Sequence, residues 1–142
     1  MSTVLYAESS AVLAWLLGQD GGEEIASALH GASGVIASDL TLIECERALI
    51  RAWSTGLMTE AVRVDRGAKL AMISAHWMRL RVDDEVAERA RRPFPVEPVR
   101  TLDALHLATA LVARSQAPNL RLLTRDQCIR ENGERLGLAT VP

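Results

Sequence analysis

The sequence predicts an α/β fold of three layers, with a central, mostly parallel sheet of four to five short strands between helices. Three observations carry that prediction. Short apolar runs of the buried-strand type, VLYA, GVIAS and LRLLT, are spread along the chain. Helical patterns separate them, and strands that alternate with helices from end to end pair in parallel and are covered on both faces. With 142 residues and 49% apolar side chains, the chain can bury a real core. Residues 1–142 are expected to form a single domain.

The first strand, Val4 to Ala7, ends in Glu8-Ser9-Ser10, and AVLAWLLG then continues as a helix closed by Gly18. Gln19 to Gly22 reads as a turn, Glu23 to His30 as a second helix and Gly34 to Ser38 as a second strand. Ser38 or Asp39 can cap a helix from about Leu40 to Trp53, with Leu42, Ile43, Cys45, Leu49 and Ile50 as its apolar positions. A further helix covers Thr59 to Ile73, and a short strand is expected around Trp77 to Val82. Asp83-Asp84 starts a helix through EVAERARR, which Pro93, Pro95 and Pro98 break into a loop. RTLDALHLATALVA, with Thr101 as its cap, is apolar on nearly every side and reads as a helix buried within the domain. Leu120 to Thr124 is a buried strand, Asp126 opens a helix that ends at Gly137, and Ala139 to Val141 is a last strand.

A net charge of -2 with 24% charged residues argues against a basic nucleic-acid scaffold, so any nucleic-acid contact must come from a local patch. Apolar stretches are interrupted well short of the about 20 residues of a membrane span. Cys45 and Cys128 lack metal-ligand spacing and read as small core residues, which suits a reducing cytoplasm. RARR at Arg89 to Arg92 reads as a solvated helix end.

Four acids, Glu8, Glu44, Asp103 and Asp126, lie far apart, yet each sits where a strand ends or a helix begins. Carboxylates gathered in one cleft raise one another's pKa and need a cation or shared protons. The pattern therefore predicts a divalent metal. His106, one turn after Asp103 on a buried helix, reads instead as a hydrogen-bonded core residue.

The ordered blocks YAESSAVLAWLL, ASDLTLIECERALIR, RTLDALHLATAL and LLTRDQCIRENGERLGLATV, which span essentially the whole chain, resemble the PIN domain. The resemblance is closest to the small VapC-like ribonuclease toxins of bacterial toxin–antitoxin pairs. It implies a PIN-like α/β/α fold and a four-carboxylate catalytic site of Glu8, Glu44, Asp103 and Asp126. The family's first position is most often Asp, and the longer Glu8 is expected to carry its carboxylate outward. Glu46 is two residues from Glu44 and points to another face. Glu44 is the match, because it precedes Arg47 with the family's spacing.

Hydrolysis of a phosphodiester needs an activated water and neutralised phosphate charge, which Mg²⁺ or Mn²⁺ supplies among hard oxygen ligands. Glu8, Asp103 and Asp126 are the expected metal residues, directly or through water, with Glu44 orienting a water or a second ion. Ser9 and Thr124 are positioned to hold the carboxylates by hydrogen bonds. Arg47, Arg51, Arg100 and Arg125 are the candidate RNA-binding residues. With 4% aromatic residues, shape and backbone should be read more than bases.

The resemblance further implies an RNA substrate, a cognate antitoxin, a homodimer and no membrane. Trp15, Leu16, Leu17, Trp53 and Leu57 either belong to the core or line an apolar groove for an antitoxin helix. One competing reading is a catalytically inactive PIN-fold RNA-binding or regulatory protein, which the four retained acids oppose. A phosphate- or nucleotide-binding module is opposed by the lack of a Gly-rich loop after any strand.

Overall fold

The computed structural model describes residues 2–142. In chain order the elements are β1 (Val4–Ala7), α1 (Ser9–Leu16), α2 (Gly22–Gly31), β2 (Gly34–Ser38), α3 (Asp39–Ser54), α4 (Glu60–Ser74) and β3 (Met78–Leu80). There follow α5 (Asp84–Ala90), α6 (Thr101–Gln116), β4 (Leu120–Leu123), α7 (Gln127–Arg135) and β5 (Ala139–Val141). The strands form one sheet in the order β3-β2-β1-β4-β5, and every pair is parallel. From β1 the chain builds outward through β2 and β3, then crosses to the other side for β4 and β5. The crossovers therefore diverge beside β1 and β4, and the carboxyl ends of these two strands open the crevice in which open α/β sheets place their sites.

Side-chain alternation divides the core into two layers. Leu5, Ala7, Val35, Ala37 and Leu123 pack with residues of α1 to α4, including Val12, Leu16, Ile25, Cys45, Leu49 and Leu70. Tyr6, Ile36, Leu120 and Leu122 point the other way and pack against Leu107, Ala110 and Ile129 of α6 and α7. Phe94 from the proline-rich loop closes this second layer, with the Arg89 guanidinium 4.3 Å from its ring centroid. Among the described residues no helix is long and apolar enough to cross a membrane.

Most expected elements stand within a residue or two of their observed limits. The cap of α6 differs: Arg100 holds the N-cap position without a side-chain bond, and Thr101 is the first helical residue. On α3 the buried residues are Thr41, Cys45, Leu49 and Ala52, a narrow stripe that leaves Ile43 out in solvent at 54% exposure. Leu16 is buried, Trp15 and Leu17 pack partly buried at the core's rim, and Trp53 and Leu57 are exposed.

The close crossing of α1 and α2 depends on Gly22. A Cβ there would lie 2.6 Å from the Ala14 carbonyl oxygen and 2.8 Å from Trp15 Cα, both backbone atoms that cannot rotate away. Gly22→Ala is expected to lose about 1–3 kcal/mol. The measurement is a urea transition, with a lowered midpoint and an unchanged slope.

Candidate active site

The four acids converge on the carboxyl edge of the sheet from different elements, but they are held in different ways. Glu8 follows β1 and is the N-cap of α1. Its carboxylate is 3% exposed and turned inward. Oε2 accepts from Ser9 Oγ at 2.8 Å and from the Ser10 amide at 2.9 Å. Oε1 accepts from Thr124 Oγ1 at 2.6 Å and from Ser10 Oγ. The expected outward displacement of this longer side chain is therefore not what occurs. The extra methylene lets the carboxylate fold back over the first turn of its own helix while reaching Thr124 at the end of β4. Ser9 and Thr124 do hold a carboxylate, and Ser10, which the sequence reading passed over, binds it twice.

Asp126 is the N-cap of α7, where Oδ1 accepts from the Ile129 amide at 2.9 Å. Its own amide donates to Thr124 Oγ1 at 3.0 Å, so one threonine ties the second carboxylate to the first. Asp103 lies in the first turn of α6, where the helix dipole favours its charge. No side-chain hydrogen bond engages Asp103 among the described residues. Partial burial is the main cause that raises its pKa above the ordinary carboxylate value, and the charges of Asp126 and Glu8 add to it. His106 and Arg100 pull in the opposite direction.

One ligand atom each from Asp103, Asp126 and Cys128 lie within 4.8 Å of one another. Cys128 is not the small core residue expected. It stands partly exposed in the first turn of α7 and lines the same cleft as the two aspartates. Burial chiefly, then Asp103 and Asp126, push its thiol pKa up, so the sulfur keeps its proton. The spacing of Cys128 from Asp126 carries no signal of this, because residues two apart seldom share a helix face, and only the position of α7's first turn at the cleft brings the two together. Two crowded carboxylates, with Asp103 held above the ordinary carboxylate pKa, fit a hard divalent cation, whose charge would relieve their repulsion. Glu8, with both oxygens occupied by hydroxyls and an amide, is not part of that close group.

The cleft has a volume of about 900 Å³, and Glu44, Arg100, Asp103, Asp126 and Cys128 are among its lining residues. Glu44 projects from α3 with its side chain 27% exposed. Its Oε1 accepts from His106 Nε2 at 2.5 Å and from Ser9 Oγ at 3.1 Å. Glu46 instead lines a separate groove with Asp39, Trp77, Arg79 and Arg81. His106 is buried, with the Tyr6 hydroxyl 2.8 Å from its Nδ1. Both ring nitrogens are thus engaged, which suits the core reading of this histidine and leaves none for a metal.

The arginines divide by position. Arg100 lines the cleft beside Asp103. Arg47 and Arg51 are exposed on α3, three and seven residues after Glu44, and so share its helix face. The Arg125 amide donates to Ser10 Oγ at 2.9 Å, and its guanidinium reaches the Asp20 carbonyl at 2.6 Å.

Comparison with known proteins agrees with this architecture. Ribonuclease VapC35 of Mycobacterium tuberculosis is 30% identical over 140 residues, 97% of this chain and 96% of that protein. The crystal structure of VapC20 from the same species, described as a sarcin-ricin loop cleaving toxin, superposes with a TM-score of 0.63 at 16% identity. It covers 93% of this chain and 95% of its own. A toxin–antitoxin complex from Klebsiella pneumoniae gives a TM-score of 0.63 at 18% identity, over 98% of this chain and 96% of that one. The PIN domain model matches residues 5–134. The chain belongs to the PIN domain family.

Proposed function

We propose that this protein is a metal-dependent endoribonuclease, the toxin of a bacterial toxin–antitoxin pair. The observation that carries the proposal is the pairing of Asp103 and Asp126 in an open cleft, with Arg100 on the same wall. Crowded carboxylates prepare a cation site, and a guanidinium beside it suits a phosphate. The named ribonuclease that is 30% identical over nearly the whole chain supports the same reading.

In this proposal Asp103 and Asp126 hold the metal. Glu44 is at the cleft wall with Oε1 occupied by His106 and Ser9, so its other oxygen is the one to orient a water. Glu8 supplies negative charge from behind and, through Ser10 and Thr124, locks the mouths of β1 and β4 together. Arg100 pairs with the phosphate, while Arg47 and Arg51 extend a cationic track along α3. Arg125 adds the guanidinium donors that Asp20 leaves over. Bound Mg²⁺ or Mn²⁺ would activate water for attack and neutralise charge on the phosphate.

RNA is then read by its backbone and shape, in keeping with 4% aromatic residues. Exposed Trp53 and Leu57 at the end of α3 are the apolar side chains offered to an antitoxin helix or to a second copy in a homodimer. The cytoplasm is the compartment in which such a toxin meets both RNA and antitoxin.

Purified, antitoxin-free protein is expected to cut total cellular RNA into discrete fragments with Mg²⁺ or Mn²⁺, and EDTA should abolish the cutting. Intact RNA from a folded protein with either metal would favour the catalytically inactive RNA-binding reading.

A further inference from the structure

Behind the cleft wall lies a buried polar connection that the site's metal chemistry does not use. Tyr6 is fully enclosed in β1, and burial, with the charge of Glu8 nearby, keeps its phenol protonated. Its hydroxyl meets His106 Nδ1 at 2.8 Å. The other ring nitrogen, Nε2, meets Glu44 Oε1 at 2.5 Å, and His106 is 1% exposed. With the proton on Nε2, the tautomer that satisfies the carboxylate, Nδ1 accepts a hydrogen bond from the Tyr6 hydroxyl. The two rings meet edge to face at 74°, with centroids 6.1 Å apart, so the imidazole has little freedom to turn. Glu44, in contrast, sits on a long, partly exposed side chain whose free rotamers would carry it away from the cleft.

We propose that His106, braced by Tyr6, is a positioning residue that holds the Glu44 carboxylate against the cleft wall and leaves its second oxygen facing the substrate. The inference rests on the nuclease reading for its effect on rate, but not for its geometry. A buried donor of fixed direction removes most of the carboxylate's freedom before RNA arrives, which is how supporting hydrogen bonds align groups that handle water. The single proton of Ser9 Oγ, 2.8 Å from Glu8 Oε2 and 3.1 Å from the same Glu44 oxygen, is shared between the two carboxylates and adds only a weak second hold on Glu44.

The test combines rate and geometry. His106→Leu is expected to lower kcat for RNA cleavage about 10- to 100-fold with KM little changed. His106→Gln, which returns an N–H near the Nε2 position, should recover most of that loss. Tyr6→Phe fills the same space, removes only the hydroxyl and should cost about fivefold. Because His106 acts through Glu44, His106→Leu combined with Glu44→Gln should be no slower than Glu44→Gln alone. In crystal structures, Glu44 should leave the wall in the Leu variant and stay in the Gln variant. Multiplying effects in the double variant, or a Glu44 unmoved in His106→Leu, would overturn the proposal. If the wild type cuts no RNA, the nuclease reading falls, and the Glu44 rotamer in these variants still decides this one.

Discussion

Asp103→Asn is expected to reduce RNA cleavage by about 10³-fold, the several kcal/mol of transition-state stabilisation that a metal site supplies. The same change should leave the fold within about 1 kcal/mol of wild type, because lost repulsion and a lost helix-dipole contact oppose each other. No side-chain hydrogen bond is sacrificed, which separates this acid from the other three. The pH dependence follows from its raised pKa. In the folded, metal-free protein Asp103 holds its proton to higher pH than in the unfolded chain. The stability this confers is fully present below the unfolded pKa and is lost as pH rises through the folded one. Thermal melts in EDTA should show that fall just above the ordinary carboxylate range, and Asp103→Asn should flatten it. Added Mn²⁺ should restore wild-type stability on the high-pH side and do little for the variant. A variant that melts far below wild type, or cleaves as well, would show that Asp103 is part of the scaffold and not of the chemistry.

Glu8→Ala is expected to have the opposite profile, a loss of about 3–5 kcal/mol of stability. Its removal leaves the Ser10 amide and the Thr124 hydroxyl without their buried carboxylate, and the hydroxyls of Ser9 and Ser10 with only the longer contacts to Glu44 at 3.1 Å and Thr124 at 3.3 Å. For a domain of this size that is a fall in Tm of about 10 °C. Glu8→Gln keeps the shape but turns an amide N–H toward hydroxyl donors, and should fall between. Urea transitions on the three proteins check the order. If Glu8→Ala were as stable as wild type, the inward carboxylate would not be the tie between β1 and β4.

The alternation of buried strands with helices is legible in the sequence because it is local: VLYA, GVIAS and LRLLT each carry their own periodicity. So is the placing of Glu8 and Asp126, since a residue just past the carboxyl end of a central strand has only one crevice to face. What is not legible is how each carboxylate is oriented. Glu8 reads from sequence as an outward ligand, whereas Ser9 and Ser10 beside it and Thr124, 116 residues later, together hold it inward. Tyr6 and His106 are 100 residues apart, and nothing in either block announces the other. A polar tip on an otherwise apolar strand did signal that some buried partner had to exist. Ile43 is exposed for a simpler reason: the buried stripe of α3 runs through Thr41, Cys45, Leu49 and Ala52, and position 43 falls off it.

The attachment of α4 has a consequence for motion. This helix of 15 residues fully buries only Leu70; Ile73 packs partly buried against the core, the Arg66 guanidinium reaches back to the Leu16 carbonyl at 3.2 Å, and the Arg63 guanidinium lies 4.8 Å from the Trp53 ring centroid. So few anchors make it a cooperative unit of its own, whose amides exchange with solvent hydrogen through local opening at a fraction of the free energy needed to unfold the sheet. The exposed apolar side chains Val62, Val64 and Met72 are thus carried on a lightly anchored helix. A partner seated on this helix would select, from a fluctuating population, the arrangement in which it lies down.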